Sequence, residues 1–435
     1  MLTDRFSFKT GLAALAIGVV VGCSGSTTSP APGTGPSGNS GTTPTASGDN
    51  AGGTLTSARP TPPSEGPKVE GDTIKIGLIA SLTGDQKPWG DDSVEGARMA
   101  VDEFNKAGGF NGKKVELLIG DAASKAEAAK SATEKLMSDG VVALVGEVAS
   151  GHTIQMAKSA FQKGIPVVAI GATRTDLTNE GSHVFRVCYT DAFQGPVMAQ
   201  FAYEKLGLRT VGVMTDNKQP YSQGLSKSFS DTFVKLGGKI VGEAFYESGQ
   251  TQFSGQLTEL KAKSPAGLFL SGYFTEVGPI AQQARQAGLD VPLLGGDGWD
   301  SPQLIESGGE AIQGGKAFFC NHYNNADNRP QVAEFLKKYK AAHGGKEPGT
   351  TMAALGYDAT LLTLDAIKRS KELSSKGIIE ALENTENFAG VSGDITLKGR
   401  GGNPDKRAIV VEVTPMTPSG WQKFAVAYTP DQIKK

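Results

Sequence analysis

From Thr73 onward, short apolar runs alternate with segments whose apolar residues recur at helical spacing. TIKIGLIA, KKVELLIG, VVALVG and IPVVAIG are each short, apolar and bounded by turn residues, the pattern of strands. Between them, Val94, Ala97, Val101 and Phe104 lie at helical spacing before Gly108 and Gly109. Further helices are expected through KAEAAKSATEKLM and from Thr153. A second series, RTVGVMT, KIVGEAFY, AGLFLSGY and VPLLGG, repeats the cadence with helices through Leu225–Leu236, near Leu257–Leu260 and through Ile280–Ala284. Such alternation implies βαβ units, hence parallel sheets with helices on both faces. Two series predict two similar α/β lobes, and ligands of such sheets bind beyond the carboxyl ends of the strands.

The later segments predict a chain that recrosses between the lobes. GKAFFCNHY is followed by helical stretches (VAEFLKKY, and Ala353 to Ile367), then by the short strands GDITL and AIVVEV. The first series lacks later helices and the second lacks strands. The expected division is 72–189 with 320–390 for lobe 1, and 190–319 with 391–430 for lobe 2. Several crossings form a hinge, an architecture that permits closure around a ligand.

The amino-terminal segment stands apart. Arg5 and Lys9 precede the short apolar run GLAALAIGVVVG, which is too short to span a bilayer but suits a secretory signal over residues 1–22. The run ends in Val20-Val21-Gly22-Cys23, the pattern of a bacterial lipobox, so Cys23 is expected to carry lipid. Residues 23–68 are dominated by Ser, Thr, Gly and Pro and read as a disordered tether. The remaining cysteines, Cys188 and Cys320, permit one disulfide in an exported setting, and each falls in a segment assigned to the hinge. With 43 basic and 45 acidic residues, nothing in the charge points to nucleic acid.

Enzyme chemistry finds little support. His152, His183, His322 and His343 are scattered without metal-ligand spacing and are each expected at the surface or at a helix cap. No nucleophile elbow, phosphate loop or dinucleotide turn occurs at a strand–helix junction, so neither a cofactor nor a metal is expected. Binding chemistry fares better. In GEVASGHT, Ser150 and Gly151 stand at a helix start where free N–H groups favour an anion, with Ser150 also a candidate cap. Ala172-Thr173 brings another hydroxyl to the neighbouring strand end. In VPLLGGDGWDSP, Pro302 suits the first helical position and Ser301 or Asp300 the cap, which leaves Asp297 to receive an ammonium. An anion receptor opposite a carboxylate matches an α-amino acid. Trp89, Tyr221 and Tyr273 punctuate similar strand-end loops, and Trp299 either joins the site or seals the lobe beneath it.

Together these segments resemble the leucine/isoleucine/valine-type periplasmic binding proteins of ABC transporters. The resemblance runs from IKIGLIASLTGDQKPWGDDSVEGARMAVDEFNKAGGFNGKKVEL through VALVGEVASGHT, VVAIGATRTDLT, FRVCYTDAFQG, TDNKQPYSQGL, FLSGYFTEVG and GGDGWDSP. It implies a type I periplasmic binding fold: two doubly wound lobes and a three-crossing hinge, with crossings near Cys188–Asp191, Phe318–Asn321 and Gly390–Gly393. It further implies that Ser150, Gly171 and Thr173 hold a ligand carboxylate and that Asp297 and Tyr273 hold its ammonium. Trp89 and Tyr221 would face the side chain or close over it. Two departures stand out: GDAAS and GEVAS lack the cysteines of the lobe-one disulfide, and Asp297 is one methylene shorter than the glutamate of some members. The implied function is capture of an amino acid, branched-chain or another neutral one, by a lipid-anchored, monomeric protein outside the cytoplasmic membrane, with delivery to a permease. A binder or sensor of amides, urea or a related polar solute is the alternative on the same fold. A hydrolase would need a nucleophile–base pair, and the sequence presents none.

Overall fold

The computed structural model describes residues 59–417 and 420–434. The signal segment, Cys23 and the tether up to residue 58 lie outside the described residues. No described helix is long and apolar enough to cross a membrane.

The first lobe is built from β1 (Thr73–Ala80), α1 (Lys87–Lys106), β2 (Lys114–Asp121), α2 (Ala126–Ser138), β3 (Ala143–Val145), α3 (Ser150–Phe161), β4 (Val167–Ala169) and β5 (Val184–Arg186). All its strands are parallel, in the order β2-β1-β3-β4-β5. Ile74, Ile76, Leu78 and Ile79 of β1 are wholly buried. That is why the strand reads as a continuous apolar run: helices cover both faces of a parallel sheet.

The second lobe begins with α4 (Asp191–Gln200) and continues through β6 (Thr210–Asp216), α5 (Pro220–Lys235), β7 (Lys239–Tyr246), α6 (Ser254–Ala262), β8 (Gly267–Ser271), α7 (Phe274–Gln286), β9 (Leu293–Gly295), α8 (Gln303–Gly308) and β10 (Ala317–Asn321). The chain then forms α9 (Pro330–Ala342), α10 (Met352–Arg369) and α11 (Ser375–Glu383), and ends in β11 (Ala408–Thr417) and β12 (Gly420–Tyr428). The second sheet runs β12-β11-β10-β9-β8-β6-β7, with β6 to β10 parallel and the last two strands antiparallel at the edge. Omitting that edge pair, its order repeats the first lobe's. Each lobe therefore has one topological switch point, between β1 and β3 and between β6 and β8, where such sheets open a crevice beyond their strand ends.

Helices α9 to α11 return to the first lobe. Gly96 of α1 and Gly356 of α10 lie so close that a β-carbon on either would overlap the other helix's backbone, at Ala353 and Ser93 respectively. Phe335 and Tyr339 of α9 meet each other at a tilt of 45°, and Phe335 meets Tyr357 of α10.

Several expectations need correction. The stretch GDITL forms no strand; only an isolated bridge joins Phe388 and Ile395. The preceding turn is organised by a carboxylate instead, since Asp358 on α10 accepts hydrogen bonds from the N–H groups of Val391 (2.7 Å) and Ser392 (2.9 Å). The Arg186 N–H donates to the Gly402 carbonyl (3.1 Å), and Asn403 donates to Thr178 (2.9 Å). The chain thus stays on the first lobe through Asn403, so the third crossing follows that residue rather than falling near Gly390–Gly393. Likewise β10 belongs to the second sheet through Asn321, and the second crossing comes after it. The hairpin strand β12 was not foreseen, because its partly exposed pattern lacks a clear apolar run.

Residues 59–68 are not free tether. The Arg59 guanidinium donates to the carbonyls of Gly181 (3.3 Å) and Val184 (2.8 Å) and pairs with Glu383 (3.3 Å). The carbonyls of Pro60 and Pro67 accept from Ser182 (2.8 Å) and Ser375 (2.9 Å). The strap is held by backbone hydrogen bonds and by ion pairs of Arg59, Glu65 and Lys68, which an apolar-residue count does not register. Cys188 and Cys320 are both buried free thiols, so the permitted disulfide is not formed.

Candidate functional site

Where the strand ends of the two lobes face each other, Trp89, Val148, Gly171, Tyr221, Tyr273, Asp297, Gly298 and Met352 line a narrow cavity of about 10 Å³. Larger concavities exist on the outer surface, such as that beside Lys130, Gln155 and Lys163, which adjoins no carboxyl end of a strand. The switch-point rule and the burial of polar groups both favour the small interlobe cavity.

The three aromatics stand on helix starts rather than in loops. Trp89 is the third residue of α1, Tyr221 the second of α5, and Tyr273 precedes α7. Pro88 and Pro220 explain the early starts, since proline has no N–H to lose in the first turn. Gln219 takes the N-cap position of α5. Tyr221 stacks on Tyr273 (centroids 5.2 Å apart, 13° between planes), and Trp89 meets Tyr273 edge-on at 5.2 Å. The indole Nε1–H of Trp89 donates across the cleft to the Asp300 carbonyl at 2.7 Å. Trp299 lies beneath, wholly buried, its Nε1–H donating to the Leu270 carbonyl (3.1 Å).

Asp297 sits in a single 3₁₀ turn just beyond β9, 3% exposed. Its Oδ1 accepts from Gln194 Nε2 and from the Tyr221 hydroxyl, each at 3.0 Å. Its Oδ2 lies 3.1 Å from His322 Nε2. It caps no helix. Pro302 itself holds the N-cap position of α8, so neither Ser301 nor Asp300 does; Ser301 Oγ accepts from the Gln303 N–H (3.3 Å), and the Asp300 carboxylate accepts from Thr351 and Gln422. Glycine flanks Asp297 because its neighbours leave no room for a β-carbon. A β-carbon on Gly296 would come within 2.5 Å of the Tyr221 hydroxyl, and one on Gly298 within 2.8 Å of the Gly272 carbonyl.

On the facing lobe, Ala149 holds the N-cap position of α3, so Ser150 is its first residue rather than its cap. Ser150 Oγ accepts from the Arg174 N–H (3.2 Å), and the N–H groups of Ser150 and Gly151 find no acceptor among the described residues. Thr173 is wholly buried, its Oγ1 3.3 Å from Gln194 Nε2. Of the seven expected ligand residues, five line the cavity. Ser150 and Thr173 stand behind it, Thr173 joined through Gln194 to Asp297.

Sequence reasoning missed four polar participants. Gln194 on α4 bridges Thr173, Asp191 and Asp297. Burial, with the charge of Asp297, pushes the Asp191 carboxyl up to about 7, against hydrogen bonds from Gln194 and Thr173. Glu147, beyond β3, is buried; although burial raises its pKa, His152, Ser81 and the Ala149 N–H more than offset that and hold it below the ordinary value. His322, beyond β10, is wholly buried and stacks on Tyr189 at 4.1 Å. The expectation of surface or capping histidines therefore fails for His152, His183 and His322; each is buried, with a ring nitrogen close to a carboxylate or a carbonyl. The strand-end rule that marked Asp297 would also have marked Glu147 and His322.

Two doubly wound lobes, three crossings and a cavity with a buried carboxylate between facing strand ends define a solute-binding protein of the two-lobed periplasmic type. The chain belongs to the periplasmic binding protein family, whose profile matches residues 73–420. A leucine-, isoleucine-, valine-, threonine- and alanine-binding protein of Pseudomonas aeruginosa is 29% identical over 312 residues, 72% of this chain and 82% of that protein. The crystal structure of a leucine-binding protein from Thermotoga maritima is 37% identical with a TM-score of 0.77, covering 82% of this chain and 99% of that one. A branched-chain amino acid transporter substrate-binding protein of Streptococcus pneumoniae, solved with isoleucine, is 31% identical with a TM-score of 0.74 over 82% of this chain and 99% of its own. This is a substrate-binding protein of the ABC-transporter class, and not an enzyme.

Proposed function

We propose that the protein captures a neutral amino acid, branched-chain or similar, by closure of its lobes and delivers it to a membrane permease. The observation that carries this reading is Asp297, a buried carboxylate that lines the interlobe cavity. A ligand ammonium would meet Asp297 through a charge-assisted hydrogen bond. Its carboxylate would meet Ser150, Gly171 and Thr173, where the helix dipole favours an anion. Tyr273, whose hydroxyl has no partner among the described residues, would add a hydrogen bond to the ammonium end. Trp89, Tyr221, Val148 and Met352 would surround an apolar side chain. The lobes would move as 72–189 with 322–403 against 190–321 with 404–434. Cys23 would carry the lipid that holds a monomeric, exported protein at the membrane.

A thermal-shift panel of amino acids, their deaminated analogues, amides and urea tests this. Ligand at a hundredfold excess over its dissociation constant stabilises the folded state by about 2.7 kcal/mol. Stabilisation by leucine, isoleucine or valine, and not by their deaminated analogues, is the expected result. Stabilisation by amides or urea alone would favour the polar-solute alternative.

A further inference from the structure

The receptor carboxylate is joined to two of the hinge crossings. Gln194 and Asp191 open α4 directly after the first crossing, and His322 follows β10 where the second begins. A carboxylate offers about four acceptor positions. Gln194 and Tyr221 take two on Oδ1, and His322 takes one on Oδ2, which leaves a single direction for a ligand cation. For His322 to donate from Nε2, its neutral ring must carry the hydrogen there. Nδ1 is then bare, and it has no hydrogen-bond partner among the described residues. A proton added at Nδ1 turns the positioning donor into a cation 3.1 Å from the oxygen that the ligand needs.

We propose that His322 is a positioning residue for Asp297 whose protonation competes with the ligand's ammonium for that carboxylate's charge. The inference rests on the amino-acid reading above. Binding and protonation of His322 then oppose each other: the ligand expels a proton, and acid expels the ligand. The groups facing the ring are Asp297 and Asp300 from the segment after β9 and Tyr189 from the first crossing, with Asp191 one step away through Gln194. Of these, the Asp191 carboxyl is pushed up to about 7 by burial and the charge of Asp297, and its effect must be separated experimentally.

The test is calorimetry of leucine, isoleucine and valine binding to the full-length protein from pH 7.5 to pH 5, in two buffers of different ionisation enthalpy. Wild-type affinity should fall with pH, approaching about tenfold per unit once the ring is charged, with net proton release on binding. His322→Gln keeps an amide donor that does not titrate. It should bind at pH 7.5 but with a flatter profile and less proton release. Asp191→Asn should retain the slope and the release that belong to His322, which keeps the test decisive if the His322 variant fails to fold. Affinity independent of pH in wild type, a wild-type slope in His322→Gln, or loss of the slope in Asp191→Asn would each overturn the inference alone. Absence of binding by any amino acid at pH 7.5 would overturn the amino-acid reading and this inference with it.

Discussion

Asp297 shows how much of a binding residue's character is given by groups around it. Its charge is buried among donors from three separate segments, so removing the charge should weaken capture without unfolding the lobe. Asp297→Asn should lower affinity for an amino acid by about 2–4 kcal/mol, the usual range for one partner of a buried charge pair, and leave a deaminated analogue little affected. Calorimetry on both ligands checks this; equal losses would mean the residue does not receive the ammonium. His183 makes a different residue-scale prediction. Burial, aided by the nearby Arg59 charge and opposed by the bond to the Ala157 carbonyl, lowers its pKa to about 4. The unfolded chain therefore binds a proton that the folded one refuses between about pH 6.5 and pH 4. Its contribution to stability is complete above that window and shrinks as pH falls through it, by about 3 kcal/mol in all. Urea midpoints measured across the window should fall less steeply for His183→Gln than for wild type.

At the scale of elements, glycine has opposite meanings in two helices. Alanine normally stabilises a helix relative to glycine, mainly by restricting the unfolded chain. Gly255 in α6 has open space where a β-carbon would stand, so Gly255→Ala should raise stability by about 0.4–1 kcal/mol. Gly96 in α1 has the Ala353 carbonyl there instead, and Gly96→Ala must push α1 from α10 at a cost of about 1–3 kcal/mol. Thermal denaturation of the two variants should move in opposite directions. The contact matters for function because α1 carries Trp89 and α10 begins with Met352, and both line the cavity.

For the whole molecule, closure is the working step, and a ligand can favour the closed state only by its differential affinity for it. The Trp89–Asp300 hydrogen bond already spans the lobes and should add to that preference. Trp89→Phe keeps an aromatic face and loses the donor, so ligand affinity should drop by about 0.5–1.5 kcal/mol, the net worth of one hydrogen bond. Small-angle scattering should show wild type contracting on binding, with the variant needing more ligand for the same contraction. An unchanged titration would assign that bond no part in closure.

The amino-acid sequence by itself determined the two parallel α/β lobes, the strand ends at which to look, and Asp297, Trp89, Tyr221 and Tyr273 as residues worth weighing there. Those features rest on local periodicity and turn chemistry, which a strand or helix displays within its own length. Tertiary structure alone decided the partners. Gln194 stands 103 residues from Asp297 and His322 stands 25 away, and only the fold brings both to its carboxylate. It also decided that GDITL is not a strand, that residues 59–68 lie against the first lobe, and that the last crossing waits until after Asn403. In each case the cause is a hydrogen bond to a distant backbone or carboxyl group. Such bonds are set by where the chain returns, a property that no stretch of sequence carries on its own.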